Sequence, residues 1–165
     1  MKNYLLLFFS LFILTSCGSD EHNESESTMH ADFEKNKQTA IKFMELHASE
    51  DWEAQADLIH EELDWAQPIY GSENYGKAGH VEAMQMYQEM FDDIKFAADY
   101  WLPGVDPVTG LNDGSVRTYG TWTGVHTESG KEFALKSYHA MAFKDGKIVG
   151  GGDYFDFGGF MASFE

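Results

Sequence analysis

The sequence predicts an α+β fold: one domain in which three N-terminal helices pack on a curved, mostly antiparallel sheet. Apolar residues recur at helical spacing through the first half of the chain, and from Lys95 onward the period switches to two. At 165 residues, with a hydrophobic share of 43%, the chain can bury one ordinary core but not two.

Three segments carry the helical pattern. They cover residues 32–47, 51–59 and 77–94, and Asp51 can cap the second of them. A short strand is predicted at 63–67. The methionines of the third helix are spaced as a helical stripe, which is typical of a core and not of a metal site.

Strands follow in the C-terminal half. Residues 95–101 form one predicted strand, a Gly/Pro/Asp-rich loop occupies 103–113, and 115–126 alternates as a second strand. Two further strands, 133–143 and 148–157, form a hairpin around Asp145-Gly146.

The N-terminus predicts export and lipidation. Residues 1–16 combine one lysine with an apolar run too short to span a bilayer, which indicates a signal peptide. The run ends at Cys17, the only cysteine, in a setting that resembles a lipoprotein processing site. We expect acylated Cys17 and a disordered tether over 17–30, then the domain over 31–165; the alternative is a secretory signal with an unmodified cysteine.

The acidic balance limits the partners. A formal net charge of -17 and the lack of a basic patch argue against nucleic acid. We expect an outer-membrane lipoprotein of the cell envelope, periplasmic or surface-exposed, that forms a homodimer.

The hairpin holds the candidate chemistry, because His139 and Asp153 lie among aromatic residues. A three-residue loop, 144–146, would make them diagonal neighbours on one face, whereas a two-residue loop would place Asp156 there instead. The apolar pattern favours the three-residue loop. In an apolar pocket, the carboxyl pKa is expected to rise and the pair could move a proton; the alternative is a structural hydrogen bond.

Two short motifs accompany this element order: Gly120-Thr-Trp-Thr-Gly124, and Asp145-Gly146-Lys147-Ile148 with the acids after it. Together with the element order, they resemble the nuclear-transport-factor-2-like superfamily over about 32–160. This superfamily includes ketosteroid isomerase and the SnoaL-like polyketide cyclases, and the resemblance implies their cone-shaped fold. In the cyclases, a strand histidine and an acid on the next strand transfer protons. The resemblance implies that His139 and Asp153 hold these positions.

The base of ketosteroid isomerase would fall at Gln67, which cannot accept a proton, so isomerase chemistry of that kind is not implied. Candidate walls of a pocket for a small apolar or aromatic ligand are Tyr119, Trp122, Met141 and Phe155, with Gln67. The histidines lack metal-ligand spacing, and no cofactor is expected. Three functions stay open: proton-transfer catalysis such as cyclisation, dehydration or isomerisation, binding without turnover, and a protein-interaction or dimerisation module.

Overall fold

The computed structural model describes the backbone of residues 20–165 and the side chains from Met29 onward. The predicted signal peptide and Cys17 lie outside the described residues. In chain order, the elements are α1 (Asp20–Ala48), α2 (Trp52–Asp57), β1 (Ile59–Ala66), α3 (Lys77–Met90), β2 (Phe91–Val105), β3 (Asn112–His126), β4 (Glu132–Lys144), β5 (Lys147–Tyr154) and α4 (Phe157–Ala162).

The five strands form one sheet in the order β1-β5-β4-β3-β2. β1 pairs with β5 in parallel, and the other three pairs are antiparallel, as predicted. Helix α1 packs against β2 and β3, and α3 packs against β1. The core therefore lies between the helices and one face of the sheet, and it contains Phe33, Ala40, Phe43, Met44, Ile59, Leu63, Trp65, Met84, Val116, Met141 and Ile148.

The helices differ from the prediction. The described residues form four helices instead of three, because α4 follows the last strand. Helix α1 begins at Asp20, within the segment for which the sequence predicts a disordered tether. Glutamate has a high helix propensity, and extending a helix already formed costs far less than starting one.

Two helices end earlier in the sequence than predicted. Ile59 was expected to end the second helix but starts β1, where it is fully buried opposite Ile148. Similarly, α3 ends at Met90, because Phe91 already pairs with His126 in the sheet. Tertiary pairing here overrides the helical spacing of the apolar residues.

The predicted loop at 103–113 is shorter in the structure. β2 extends to Val105 and β3 begins at Asn112. Pro103 is tolerated because β2 is an edge strand. Asp106 organises the remaining turn by accepting hydrogen bonds from the backbone of Val108 and Thr109.

The prediction of a three-residue hairpin loop is wrong. Lys144 pairs with Lys147, so the loop has two residues, Asp145 and Gly146, with φ of 53° and 75°. These positive values are those of the tight turn that Asp-Gly favours. Beyond Phe143, however, the register shifts by one residue, because Val149 has no partner in β4. This bulge places His139 directly opposite Asp153.

None of the helices in the described part of the chain is long and apolar enough to cross a membrane.

Candidate functional site

A cavity of about 100 Å³, partly open to solvent, lies between the helices and the inner face of the sheet. Its walls are mainly apolar and aromatic. The lining residues come from every layer of the domain: Phe43, Met44, His47, Gln55, Pro68, Tyr75, His80, Ala83, Met84, Tyr87, Phe91, Ile94, Trp122, Phe133, Leu135, His139, Asp153, Phe155 and Phe160.

His139 and Asp153 meet on the inner face of β4 and β5. His139 Nδ1 and Asp153 Oδ1 are 2.6 Å apart. The His139 side chain is buried, whereas 23% of the Asp153 side chain is accessible through the cavity. The pair therefore presents mainly its carboxylate to a bound molecule.

The tautomer of His139 follows from its other contacts. Trp122 Nε1 donates a hydrogen bond to His139 Nε2 over 3.0 Å, and the indole nitrogen can only donate. The Ser137 hydroxyl lies 2.8 Å from the same nitrogen. His139 Nε2 must therefore be an acceptor, so the ring is neutral and its single proton on Nδ1 is donated to Asp153.

Asp153 receives a second hydrogen bond on its other oxygen. Trp65 Nε1 donates to Asp153 Oδ2 over 2.9 Å. Burial alone would raise the pKa of the Asp153 carboxyl, but the hydrogen bonds from His139 and Trp65 stabilise its charged form and hold the pKa below its usual value. The sequence-based expectation of a raised carboxyl pKa is thus corrected.

Gly120 allows the indole of Trp122 to reach its position. A Cβ at Gly120 would lie 2.5 Å from the ring of Phe96. Without that Cβ, Phe96 packs over the strand, and its ring centroid lies 4.6 Å from that of Trp122. The packing orients Trp122 toward His139.

A second polar cluster joins three helices behind the cavity. His47 Nδ1 lies 3.3 Å from Gln55 Oε1, and Gln88 Nε2 donates to the same oxygen over 3.1 Å. Burial lowers the pKa of His47 to about 4, although the hydrogen bond to Gln55 opposes the shift. His47 is therefore neutral at physiological pH.

Three more titratable groups of the cavity wall are also neutral. Burial lowers the pKa of His80 and raises the pKa of Tyr75 and Tyr87, with Asp153 adding to the rise for both tyrosines. The phenols therefore keep their protons and remain hydrogen-bond donors. The His80 ring lies 4.8 Å from that of Trp65.

The predicted site residues separate into two groups. His139, Asp153, Trp122 and Phe155 line the cavity. Three predicted wall residues do not: Tyr119 is 45% exposed on the opposite face, Met141 is buried in the core, and Gln67 donates to the backbone of Glu73. Asp156, the alternative acid, caps α4 by accepting from the backbone of Gly159.

Sequence reasoning missed the helical contribution to the site. His47, Gln55, His80 and Tyr87 fall on the buried faces of helices, but a histidine or glutamine at one helical position carries no signal of its own. Within residues 20–165, no group of three or more His, Cys, Asp or Glu residues is placed to hold a metal ion.

Comparison of the structure with solved structures shows the fold. A Bacillus subtilis protein whose proposed activity is that of an isomerase has a TM-score of 0.65 and 23% identity, with 75% of this chain and 88% of that chain covered. A nuclear-transport-factor-2-like protein from Burkholderia pseudomallei has a TM-score of 0.62 and 17% identity, with coverages of 78% and 95%. A Xanthomonas campestris protein, proposed to be a polyketide cyclase, has a TM-score of 0.61 and 14% identity, with coverages of 81% and 99%.

These likenesses confirm the predicted α+β, nuclear-transport-factor-2-like fold of a single domain. No curated protein sequence matches the chain. The family model for SnoaL-like polyketide cyclases matches residues 37–163, which is most of the chain and includes every element from α2 to α4. The chain therefore belongs to the SnoaL-like polyketide cyclase family.

Proposed function

We propose that the domain binds a small apolar or aromatic molecule in the cavity and that Asp153 removes a proton from a carbon next to its carbonyl group. The observation that carries this proposal is the Asp153 carboxylate, which opens into an apolar cavity while two N–H groups hold it. Such a step begins cyclisations, dehydrations and isomerisations alike. Membership of a family related to polyketide cyclases supports the proposal.

The residues of the site would divide the reaction between them. Asp153 takes the proton from carbon, and the electron pair of that C–H bond moves onto the carbonyl oxygen as an enolate. The protonated phenols of Tyr75 and Tyr87 line the same cavity and can donate to that oxygen. His139 acts as a positioning residue, since both its ring nitrogens are already engaged.

Hydrogen exchange tests this step directly. The full chain is incubated in D₂O with acetone, a ketone small enough for the cavity, and deuterium entering the positions next to the carbonyl is followed by NMR. We expect Asp153→Asn to slow the catalysed exchange by about 100-fold or more, since general bases contribute at least that factor. Asp99→Asn removes an exposed carboxylate that pairs with Lys136, and it should exchange like the wild type.

Two results would count against catalysis. If the wild-type chain gives no faster exchange than buffer, or if Asp153→Asn exchanges as fast as the wild type, Asp153 is not a base. A fall in melting temperature with Asp153→Asn would instead mark a structural pair. A ligand that is retained through purification, in both wild type and Asp153→Asn, would indicate binding without turnover.

A second function, self-association, is favoured by the outer face of the sheet. Four tyrosines pair in one row across four strands: Tyr100, Tyr119, Tyr138 and Tyr154. Three of them are between 45% and 63% exposed. We propose that this row is where two copies of the chain meet, as expected for a homodimer.

We also propose that the chain is anchored in the outer membrane of the cell envelope through acylated Cys17. The support is the sequence alone: a charged start, a short apolar run and a single cysteine at its end. Two or three acyl chains anchor a protein stably, whereas one does not. The mass of the mature N-terminal peptide decides the point, because an unmodified cysteine or an uncleaved leader excludes lipidation.

A further inference from the structure

The charge facing the cavity is unbalanced. Asp153 is the only carboxylate among the described lining residues, and no lysine or arginine lines the cavity with it. The groups that donate to it, His139 Nδ1–H and Trp65 Nε1–H, are both neutral. A buried carboxylate normally has a cationic partner. The part of the Asp153 side chain that remains accessible faces the cavity.

The histidines do not supply the missing positive charge. His139 is neutral because Trp122 donates to its Nε2. Burial keeps the pKa of His47 at about 4 and lowers that of His80, so neither carries charge near pH 7. The described lining of the cavity therefore carries one net negative charge.

The rest of the wall is suited to a positive charge. Phe91, Phe133 and Phe160 form a cluster with ring centroids 5.0 to 5.3 Å apart, and Trp122 and Phe155 extend the aromatic lining. The faces of aromatic rings carry partial negative charge and attract ammonium groups, and tryptophan does so most strongly. A carboxylate and several aromatic rings that line one cavity together favour a cation over a neutral or anionic molecule of the same shape.

The cavity also limits the size of the ligand. Its volume of about 100 Å³ is smaller than the roughly 150 Å³ of an apolar cavity that holds benzene. The ligand body is therefore compact.

We propose that the cavity selects a compact organic cation, an ammonium ion with a small alkyl body, whose positive charge lies beside Asp153. This inference rests on the proposed function, because it names the ligand class of the same site. Such a ligand also contributes to the proton transfer itself. An ammonium group near the carbonyl stabilises the enolate formed when the C–H proton moves to Asp153. The substrate class that fits both is a small aminoketone.

Three probes of similar shape and different charge test the inference. The full chain is titrated by calorimetry at pH 7 with tetramethylammonium, tert-butanol and pivalate. We expect tetramethylammonium to bind about tenfold or more tightly than tert-butanol, with pivalate weakest. Asp153→Asn should bring tetramethylammonium and tert-butanol to similar affinity, whereas Asp99→Asn, which removes an exposed carboxylate, should leave the wild-type order unchanged.

A titration in high salt distinguishes binding in the cavity from binding to the acidic surface of the chain. This test does not depend on any variant. Raising NaCl from about 0.15 M to 1 M shortens the screening length from roughly 8 to 3 Å, which weakens surface attraction far more than that of a buried pair. The wild-type preference should persist. Equal affinities, absent binding of tetramethylammonium, a preference lost in high salt, or a preference surviving in Asp153→Asn would each overturn the inference.

The outcome is independent of the exchange experiment. The titration measures binding and involves no turnover, whereas the exchange experiment uses a neutral ketone. Exchange on acetone without cation preference removes only the ligand class, and cation preference without exchange removes only the proton transfer.

Discussion

At the scale of single residues, His139 and Asp153 have unequal roles. Both imidazole nitrogens form hydrogen bonds within the protein: Nε2 with Trp122 and Ser137, and Nδ1 with Asp153. The carboxylate keeps unused lone pairs and access to the cavity. A proton relay through His139 would require breaking the Trp122 contact, so the structure favours Asp153 acting alone.

His47 makes the stability of the protein depend on pH. Its folded-state pKa of about 4 lies below the ordinary 6.5, so below pH 6.5 the unfolded chain takes up a proton that the folded chain does not. The unfolding free energy therefore has its full value above about pH 6.5, and it falls by about 1.4 kcal/mol per pH unit as the pH drops toward 4. Replacing His47 with Gln, which can form hydrogen bonds but takes up no proton, should remove this loss.

The measurement is urea denaturation at pH 7 and pH 5. We expect the difference in unfolding free energy between the two pH values to be about 2 kcal/mol smaller in His47→Gln than in the wild type. His30→Gln, which changes an exposed histidine of α1, is the matched control and should behave like the wild type. An equal pH response in His47→Gln and the wild type would show that His47 is not held neutral by burial.

At the scale of elements, the bulge in β5 assembles the site. A two-residue turn alone would pair His139 with Gly152 and place Asp153 on the outer face. The unpaired Val149 moves every later residue of β5 by one position. Gly151, next to this shift, has a φ of 139°, and an added Cβ would lie 1.9 Å from the backbone oxygen of Ala140. The glycine therefore permits the close approach of β4 and β5.

Gly151→Ala tests this element. The clash involves backbone and cannot be relieved by a side-chain rotation, so we expect a loss of about 3 kcal/mol in unfolding free energy. Gly146→Ala is the matched control: it has a positive φ but open space around its Cβ, and should cost about 1 kcal/mol. Urea denaturation compares the two variants. Equal losses would mean that strand approach at Gly151 is not what constrains the hairpin.

The same hairpin shows how far the sequence could predict the site. Both candidate residues, His139 and Asp153, are correct as neighbours, because the apolar pattern required them to share the inner face. The predicted register is wrong, however: the turn has only the two residues Asp145 and Gly146, and a bulge returns Asp153 to the inner face, directly opposite His139. A bulge adds one unpaired residue to a strand, and the local pattern of apolar residues does not reveal it.

The helical part of the site was beyond prediction for a different reason. His47 and Tyr87 lie on helices whose spacing correctly predicted buried faces, but the point at which those faces meet Trp122 depends on how the helices cross the sheet. Amphipathic spacing gives the buried side of a helix and not its partners. The outward position of Tyr119 follows from strand alternation, since its neighbour Thr118 is fully buried.

At the scale of the whole molecule, the two faces of the sheet have separate tasks. Consecutive rows across the strands alternate between them: the row of Trp101, Thr118, His139 and Asp153 faces the helices, and the row of four tyrosines faces outward. Helices cover the first row. The described part of the chain places no helix over the second row, and exposed aromatic rings in a patch are typical of protein interfaces.

Self-association through this face is tested by the mass of the full chain in solution, measured by light scattering during size-exclusion chromatography. We expect the wild-type chain to have the mass of two copies. Tyr119→Lys places a charge in the centre of the row, where a symmetric interface would bring it near its own copy, and should yield single chains. Tyr70→Lys, at a fully exposed loop position far along the chain from the row, should remain a dimer. A wild-type mass of one copy, or a Tyr119→Lys variant with the mass of two, would exclude the tyrosine row as the interface and leave the cavity as the functional site of the domain.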